Sequence, residues 1–440
     1  AQYQRKELEY DFWDSHRDMI LRCYALDGNM LTFSQMGSFG KTSLGNESVY
    51  NSGFALTRYI SQKYGENKLK EITVNLSKFS NYTVSEAIYD AIGKTGQELY
   101  NEWKTFLIND YQKRISKVLE NRVEGKLIFN EGFGNFYPIF NKKNDKVYFI
   151  SNKGKDYFKG DLYEFDLKTK NYKIIKEGLR SNLSITNNDS ILVYSKLDDN
   201  NKDFLNINDI YLYNLKTNKE TRLTNALRAY HPNISNDNKK IVFVTQKDGS
   251  SNLGIIDVDS KNYRILTNFK FGQQVYNPRF SKDDKKIYFD YSFEQERDIY
   301  VYDFETNSIN PLIKTKFDER NPVPVNDSTI LYVSDKTGIF NIYLYNLKNG
   351  ETKQLSNVVG GAFYPNIDKD GNIVYAGYTS TGYKIFYLTK DEQKVDTTKS
   401  YIKVDNPPLG EDNPKGDLVN FNLDYLKNFD DTKKTNYKAS

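Results

Sequence analysis

Six times between residues 126 and 389 the chain repeats the same pair of strand-like segments, and this repeat constrains the fold more than any other feature. One segment reads DKVYFIS (145–151), DSILVYS (189–195), KKIVFVT (239–245), KKIYFDY (285–291), STILYVS (328–334) and GNIVYAG (371–377). Its follower reads DLYEFDL (161–167), DIYLYNL (209–215), NLGIIDV (252–258), DIYVYDF (298–304), NIYLYNL (341–347) and YKIFYLT (383–389). Pro138, Pro232, Pro278, Pro322 and Pro365 precede five of the units at a period of roughly 45 residues; the unit near Leu183 lacks the proline. Alternating apolar and polar residues between Asp, Asn and Lys turns predict half-buried antiparallel strands. Tyr276–Ile313 is the clearest unit, with four strands in succession. One such sheet cannot bury both of its faces, so six of them predict a six-bladed β-propeller. Lys126–Asn130 resembles the fourth strands near 222, 265 and 354 and is expected to complete the last blade, leaving no free edge.

Residues 1–122 have a different periodicity. Leu8–Leu26, Val49–Tyr64, Thr83–Ile92 and Thr95–Tyr111 read as helices in a bundle of four or five, with a Gly- and Ser-rich loop over Gly28–Glu47. Thr83 and Glu86 have the spacing of a capping box. Leu99, Trp103, Phe106 and Leu107 form an amphipathic stripe. The expected fold class is α+β and multidomain: a small helical bundle at 1–122, an all-β propeller at 123–394, and a linker or strap at 395–440. Both termini read as cut from something longer.

Composition excludes several functions. The 36 Tyr and 27 Phe suit pleated, half-wet surfaces, and 62 basic against 58 acidic residues give a net charge of only +4. That is no footprint for nucleic acid. No apolar run reaches about 18 residues, so no transmembrane helix is expected. The single Cys23 rules out an intrachain disulfide. A serine hydrolase of the Gly-x-Ser-x-Gly type finds no matching motif.

The blades resemble TolB-like propeller repeats, which join a Pro-Φ-Phe-Ser strand, an Asp/Gly turn, an aliphatic strand and an Asp-Ile-Tyr strand; Asn277–Asp284 with Asp298–Asp303 is the best match. The stretch VYNSGFALTRYISQKYGENKLKEI, with TGQELYNEWKTFL after it, resembles the helical half of a gluzincin (thermolysin- and aminopeptidase-like) zinc-peptidase domain. That resemblance implies an oxyanion-stabilising role for Tyr50, in the Tyr-x-x-Gly context Tyr50–Gly53, and a metal-binding His-Glu-x-x-His helix upstream. Here the chain departs from the family. Its two histidines, His16 and His231, stand in no such motif. A catalytic zinc needs three protein ligands, so no cofactor is expected in this chain, and zinc only in a longer parent.

Candidate binding residues precede the first strand of each unit: Tyr137, Tyr230, His231, Tyr276, Arg320 and Tyr364. They are expected near one mouth of the channel, where aromatic and Arg side chains suit a protein or peptide partner. The plain alternative is that they only plug the hub. His16 reads as a surface or inter-helix residue, with Arg17 and Asp18 as a local ion pair. Asp283, Asp284, Asp368 and Asp370 read as turn residues rather than calcium ligands. The function expected is a non-catalytic protein-binding propeller module of an exported envelope protein, periplasmic, cell-surface or secreted, in possible association with an outer-membrane component. The alternative is a fragment of a zinc metallopeptidase whose propeller docks substrates.

Overall fold

Each repeat folds into one four-stranded antiparallel sheet, and six such sheets close into a ring. The computed structural model describes residues 13–39, 43–155, 160–198, 205–293 and 296–403, and the structural statements below concern these. Blades one to five span 135–177, 184–222, 229–265, 274–313 and 319–354. Blade six takes Ala362–Ile367, Ile373–Thr379 and Gly382–Leu388 from its own repeat and Lys126–Phe129 from before blade one, as expected. Phe129 of this closing strand packs 4.8 Å from Phe149 of blade one, so the closure is sealed by an aromatic core as well as by hydrogen bonds.

The second strands are drier than their alternation predicts. Val147, Tyr148, Phe149 and Ile150 are all buried, because a middle strand is covered by a neighbouring blade on either face. The tyrosines tolerate this by keeping their hydroxyls at the sheet margin, where Tyr148 donates to Glu164 at 2.9 Å. Turns repeat as faithfully as strands. Asp166, Asn214, Asp257 and Asp303 each accept backbone N–H groups from two and three residues on, and Lys170, Asn218, Lys261 and Asn307 follow in the left-handed region. Turn side chains also join blades. Asp189 accepts from the Lys142 N–H of blade one, Asn238 from Asn187, and Asp284 from Asn236.

Five α-helices precede the propeller: α1 (Ser15–Leu26), α2 (Ser43–Tyr64), α3 (Asn67–Leu76), α4 (Val84–Ile92) and α5 (Gly96–Glu120). Thr83 and Glu86 form the expected capping box, and Thr95 with Glu98 forms a second. Phe106 departs from the expected stripe: it is 50% exposed and packs on Tyr59 at the bundle surface. α1 starts later than expected, because Asp14 accepts from the Arg17 N–H and caps it; residues 8–12 lie outside the described ones. Asp18 pairs with Arg22 (2.6 Å) and Arg114 (3.3 Å), on its own inner face, instead of with Arg17.

That buried network holds the helices to the propeller. Arg22 donates to the carbonyls of Val359 and Gly360 at 2.9 and 2.8 Å. Tyr401 donates to Asp18 at 2.7 Å, with the Arg22 and Arg114 guanidinium groups 4.7 and 4.6 Å from its ring centre. Trp13–Lys403 is accordingly one compact unit. Of the segment expected as a linker or strap, 395–403 returns to the helices through Tyr401; 404–440 lies outside the described residues.

Candidate functional site in the propeller channel

The first strand of a blade lies innermost, and in five blades it is broken at the same place. Tyr137, His231, Asn277, Asn321 and Tyr364 have φ between 47° and 56°, and each stands directly before a proline. The strand pairing slips at each of these positions. A left-handed residue before proline is doubly disfavoured, by its own Cβ and by the proline ring. The resulting bulge turns the side chain toward the axis. Blade two, which lacks the proline, supplies Asn182, whose amide donates to Asn277 Oδ1 at 2.6 Å.

Along the axis the channel has three levels. At the end nearest α1 lie Phe136, Tyr230, Tyr276, Arg320 and Phe363. Here His16 of α1 sits 3.3 Å from the Tyr383 hydroxyl, whose ring packs on Phe136 (4.8 Å) and Phe363 (5.8 Å). Glu47 of α2 lies 3.8 Å from His16; burial, reinforced by Asp14, lifts the Glu47 carboxyl to about 7. Arg320 donates to Asp318 at 2.8 Å and lies over the Phe340 ring at 4.7 Å.

The middle level is the left-handed layer. Tyr137 and Tyr364 meet edge to face at 4.5 Å, and the cavity beside them has room for about one water molecule, at about 10 Å³. Burial, with Tyr364 close by, raises the Tyr137 hydroxyl well above its ordinary pKa. His231 accepts from the Asn277 N–H through Nδ1 at 3.3 Å. Burial, then Arg297 and Arg279, lowers its pKa to about 3, so the ring is neutral at physiological pH. Tyr276 lies 6.2 Å from His231 and carries the Arg297 guanidinium 4.5 Å over its face. Arg297 pairs with buried Asp290, which also accepts from Asn277 Nδ2 and the Asn321 N–H, both at 2.8 Å.

The third level opens away from α1. There Arg279, Lys142, Lys282 and Lys369 line a vestibule of about 360 Å³.

The structure thus brings Tyr137, Tyr230, His231, Tyr276, Arg320 and Tyr364 together around one channel, in and just outside its narrowest level. Tyr50 lies elsewhere, on α2, 53% exposed and 5.3 Å from the Phe39 ring. Sequence reading missed the third level. Placing the repeats in register would have exposed it: Ile139, Asn233, Arg279, Val323 and Asn366 share one column after the prolines, and Arg279 is the charged member.

Residues 229–419 match the sequence profile of the TolB β-propeller domain family (PD40). Curated proteins give no match to this chain. Among solved structures, a protein of Agrobacterium tumefaciens assigned as TolB is 15% identical, with 60% of this chain and 92% of that one aligned at a TM-score of 0.46. TolB from Acinetobacter baumannii is 14% identical over 67% of this chain and 71% of that one, at 0.41. The propeller of the trilobed protease from Pyrococcus furiosus is 14% identical over 59% and 96%, at 0.43. The six closed sheets identify a six-bladed β-propeller carried behind five helices, and part of that propeller, residues 229–419, is similar to the TolB β-propeller domain.

Proposed function

We propose that the chain is a binding module whose propeller holds a segment of a protein partner at the channel end nearest α1. The observation behind this reading is the left-handed layer. Each such residue costs about 1–3 kcal/mol and persists only where its surroundings over-determine it, a pattern that clusters at binding and active sites. Beside that layer Tyr230, Tyr276 and Arg320 remain half-buried, the residue types that anchor interface cores. The module itself is non-catalytic. Its TolB-like propeller is in keeping with an exported envelope protein, periplasmic, cell-surface or secreted, within reach of an outer-membrane component.

A pull-down with the intact chain and a Tyr230→Ala/His231→Ala/Tyr276→Ala variant tests this. Partner recovery is expected to fall by about tenfold or more in the variant; unchanged recovery removes this end of the channel as the site. Cell fractionation tests the location, and recovery with the cytosol would overturn it.

A second reading keeps the gluzincin-like resemblance of the helices: part of a zinc metallopeptidase whose propeller docks substrates, with Tyr50 as oxyanion donor. The exposure of Tyr50 favours it. The chain's own described residues do not fit a zinc centre. His16 lies at α1 and His231 in the channel wall, and among the described residues no three His, Cys, Asp or Glu converge. The metal of that reading belongs to residues upstream of Ala1. A His-Glu-x-x-His helix encoded there would support it, and stoichiometric zinc on the present chain would refute this assignment of the metal.

A further inference from the structure

At the end of the channel away from α1, the first strands run out into turns that enclose the vestibule of about 360 Å³. Its charge is one-sided. Arg279, Lys142, Lys282 and Lys369 come from blades four, one, four and six, and Asp368 is the one carboxylate among the described lining residues. Asp368 is already engaged by its own turn, accepting from the Asp370 and Asn372 N–H groups at 2.9 and 2.8 Å and from the Asn372 amide at 2.9 Å. The Arg279 guanidinium, half-buried at the vestibule floor, makes neither a hydrogen bond nor an ion pair among the described residues. Its nearest compensating charge, Asp290, is held by Arg297.

The electrostatics fit a cluster of cations that nearby carboxylates compensate only in part. Burial lowers the Arg279 pKa to about 10, only partly offset by Asp290. Lys142 and Lys282, exposed on opposite blades of the ring, are both lowered by partial desolvation; repulsion from Lys282 lowers Lys142 further, and Asp189 and Asp327 offset part of the two shifts. A half-buried cation without a partner bears part of its desolvation cost, and a carboxylate supplied from outside would offset it, with Arg offering a bidentate grip.

The remaining walls say what else the ligand carries. Ile139, Leu183, Val323 and Val325 line the same space, so the anion must bring a carbon stem. The cations stand on three blades around the rim, which suits several carboxylates spaced along a chain. The floor closes on the constricted middle level, so the ligand enters as a tip or loop and does not thread through.

We propose that this vestibule binds an acidic peptide segment, with a carboxylate on Arg279 and others on Lys142, Lys282 and Lys369. The site is independent of the reading above, which uses the opposite end of the channel.

Fluorescence anisotropy with the full chain tests it, using a labelled peptide of alternating Glu and Ser, its Gln counterpart, and inorganic phosphate as competitor. The Glu peptide is expected to bind about tenfold or more tighter than the Gln peptide, and to weaken as salt is raised. Arg279→Gln is expected to cost about tenfold or more in affinity while leaving thermal stability unchanged or raised, since it removes a half-buried charge without a partner. Arg279→Lys should keep most of the binding. Lys142→Gln/Lys282→Gln, at exposed positions, should weaken it without affecting the fold. Equal binding of the two peptides, or wild-type affinity in both Gln variants, overturns the proposal. Full displacement by phosphate at matched charge makes the site one for small anions, which overturns it equally. Loss of Glu-peptide binding in the Tyr230/His231/Tyr276 variant alone would move the site to the other end.

Discussion

Asp18 shows how much one residue can carry. It is 5% exposed and accepts from Arg22, Arg114, Tyr111, Tyr401 and Trp13, so helices and strap meet on one carboxylate, and Arg22 links it to the propeller. Burial alone would raise its pKa, but Arg22 and Arg114 outweigh that and hold it below the ordinary carboxylate value. A lowered folded pKa stabilises fully above the unfolded value of about 3.9 and is lost as pH falls through the folded one. Asp18→Asn should therefore cost about 3–5 kcal/mol in urea denaturation at neutral pH, because it strands two buried guanidinium groups. It should also flatten the acid limb of the stability curve. A change under about 1 kcal/mol would show that water replaces the carboxylate. The sequence offered Arg17 as the partner because it is adjacent; on a helix it is the residue four positions on that shares the face.

At the scale of elements, local chemistry and packing divide the work. Capping boxes, hairpin turns and strand alternation are short-range, and the chain spells them out. The seat of α1 on blade six is different. A Cβ at Gly360 would lie 2.0 Å from the Tyr378 carbonyl, and one at Gly361 would lie 2.5 Å from Met19 Sδ. Gly360 thus abuts its own sheet as well as Cys23 of α1, whose Sγ would lie 3.3 Å from the added Cβ, and Gly361 abuts α1 directly. Gly360→Ala should destabilise the chain by about 1–3 kcal/mol through overpacking. Hydrogen exchange should then show α1 opening before the blades. Protection of α1 equal to wild type would show that the seat is not tight.

For the whole molecule, closure is the decisive event. The last sheet lacks a fourth strand of its own and takes Lys126–Phe129 from the far end of the repeat array. Phe129→Ala removes a buried ring shared by blades six and one, and should cost about 3–5 kcal/mol. Deleting residues 1–130 should do more, exposing the edge of Gly382–Leu388 and giving concentration-dependent association in light scattering. A monomeric, cooperatively unfolding product would show that the ring holds without its closing strand.

The repeat, its six copies, the closing strand and the turn residues were legible in the sequence by itself, because each depends on hydrogen-bonding and burial periods that recur every few residues. The candidate channel residues were legible as a column before the prolines. Only the tertiary structure decided which of them narrow the channel, that α1 sits at their end, and that Arg279 and three lysines share the other. Charges scattered over 228 positions, from Lys142 to Lys369, become neighbours solely because the ring closes, and no local period encodes that distance.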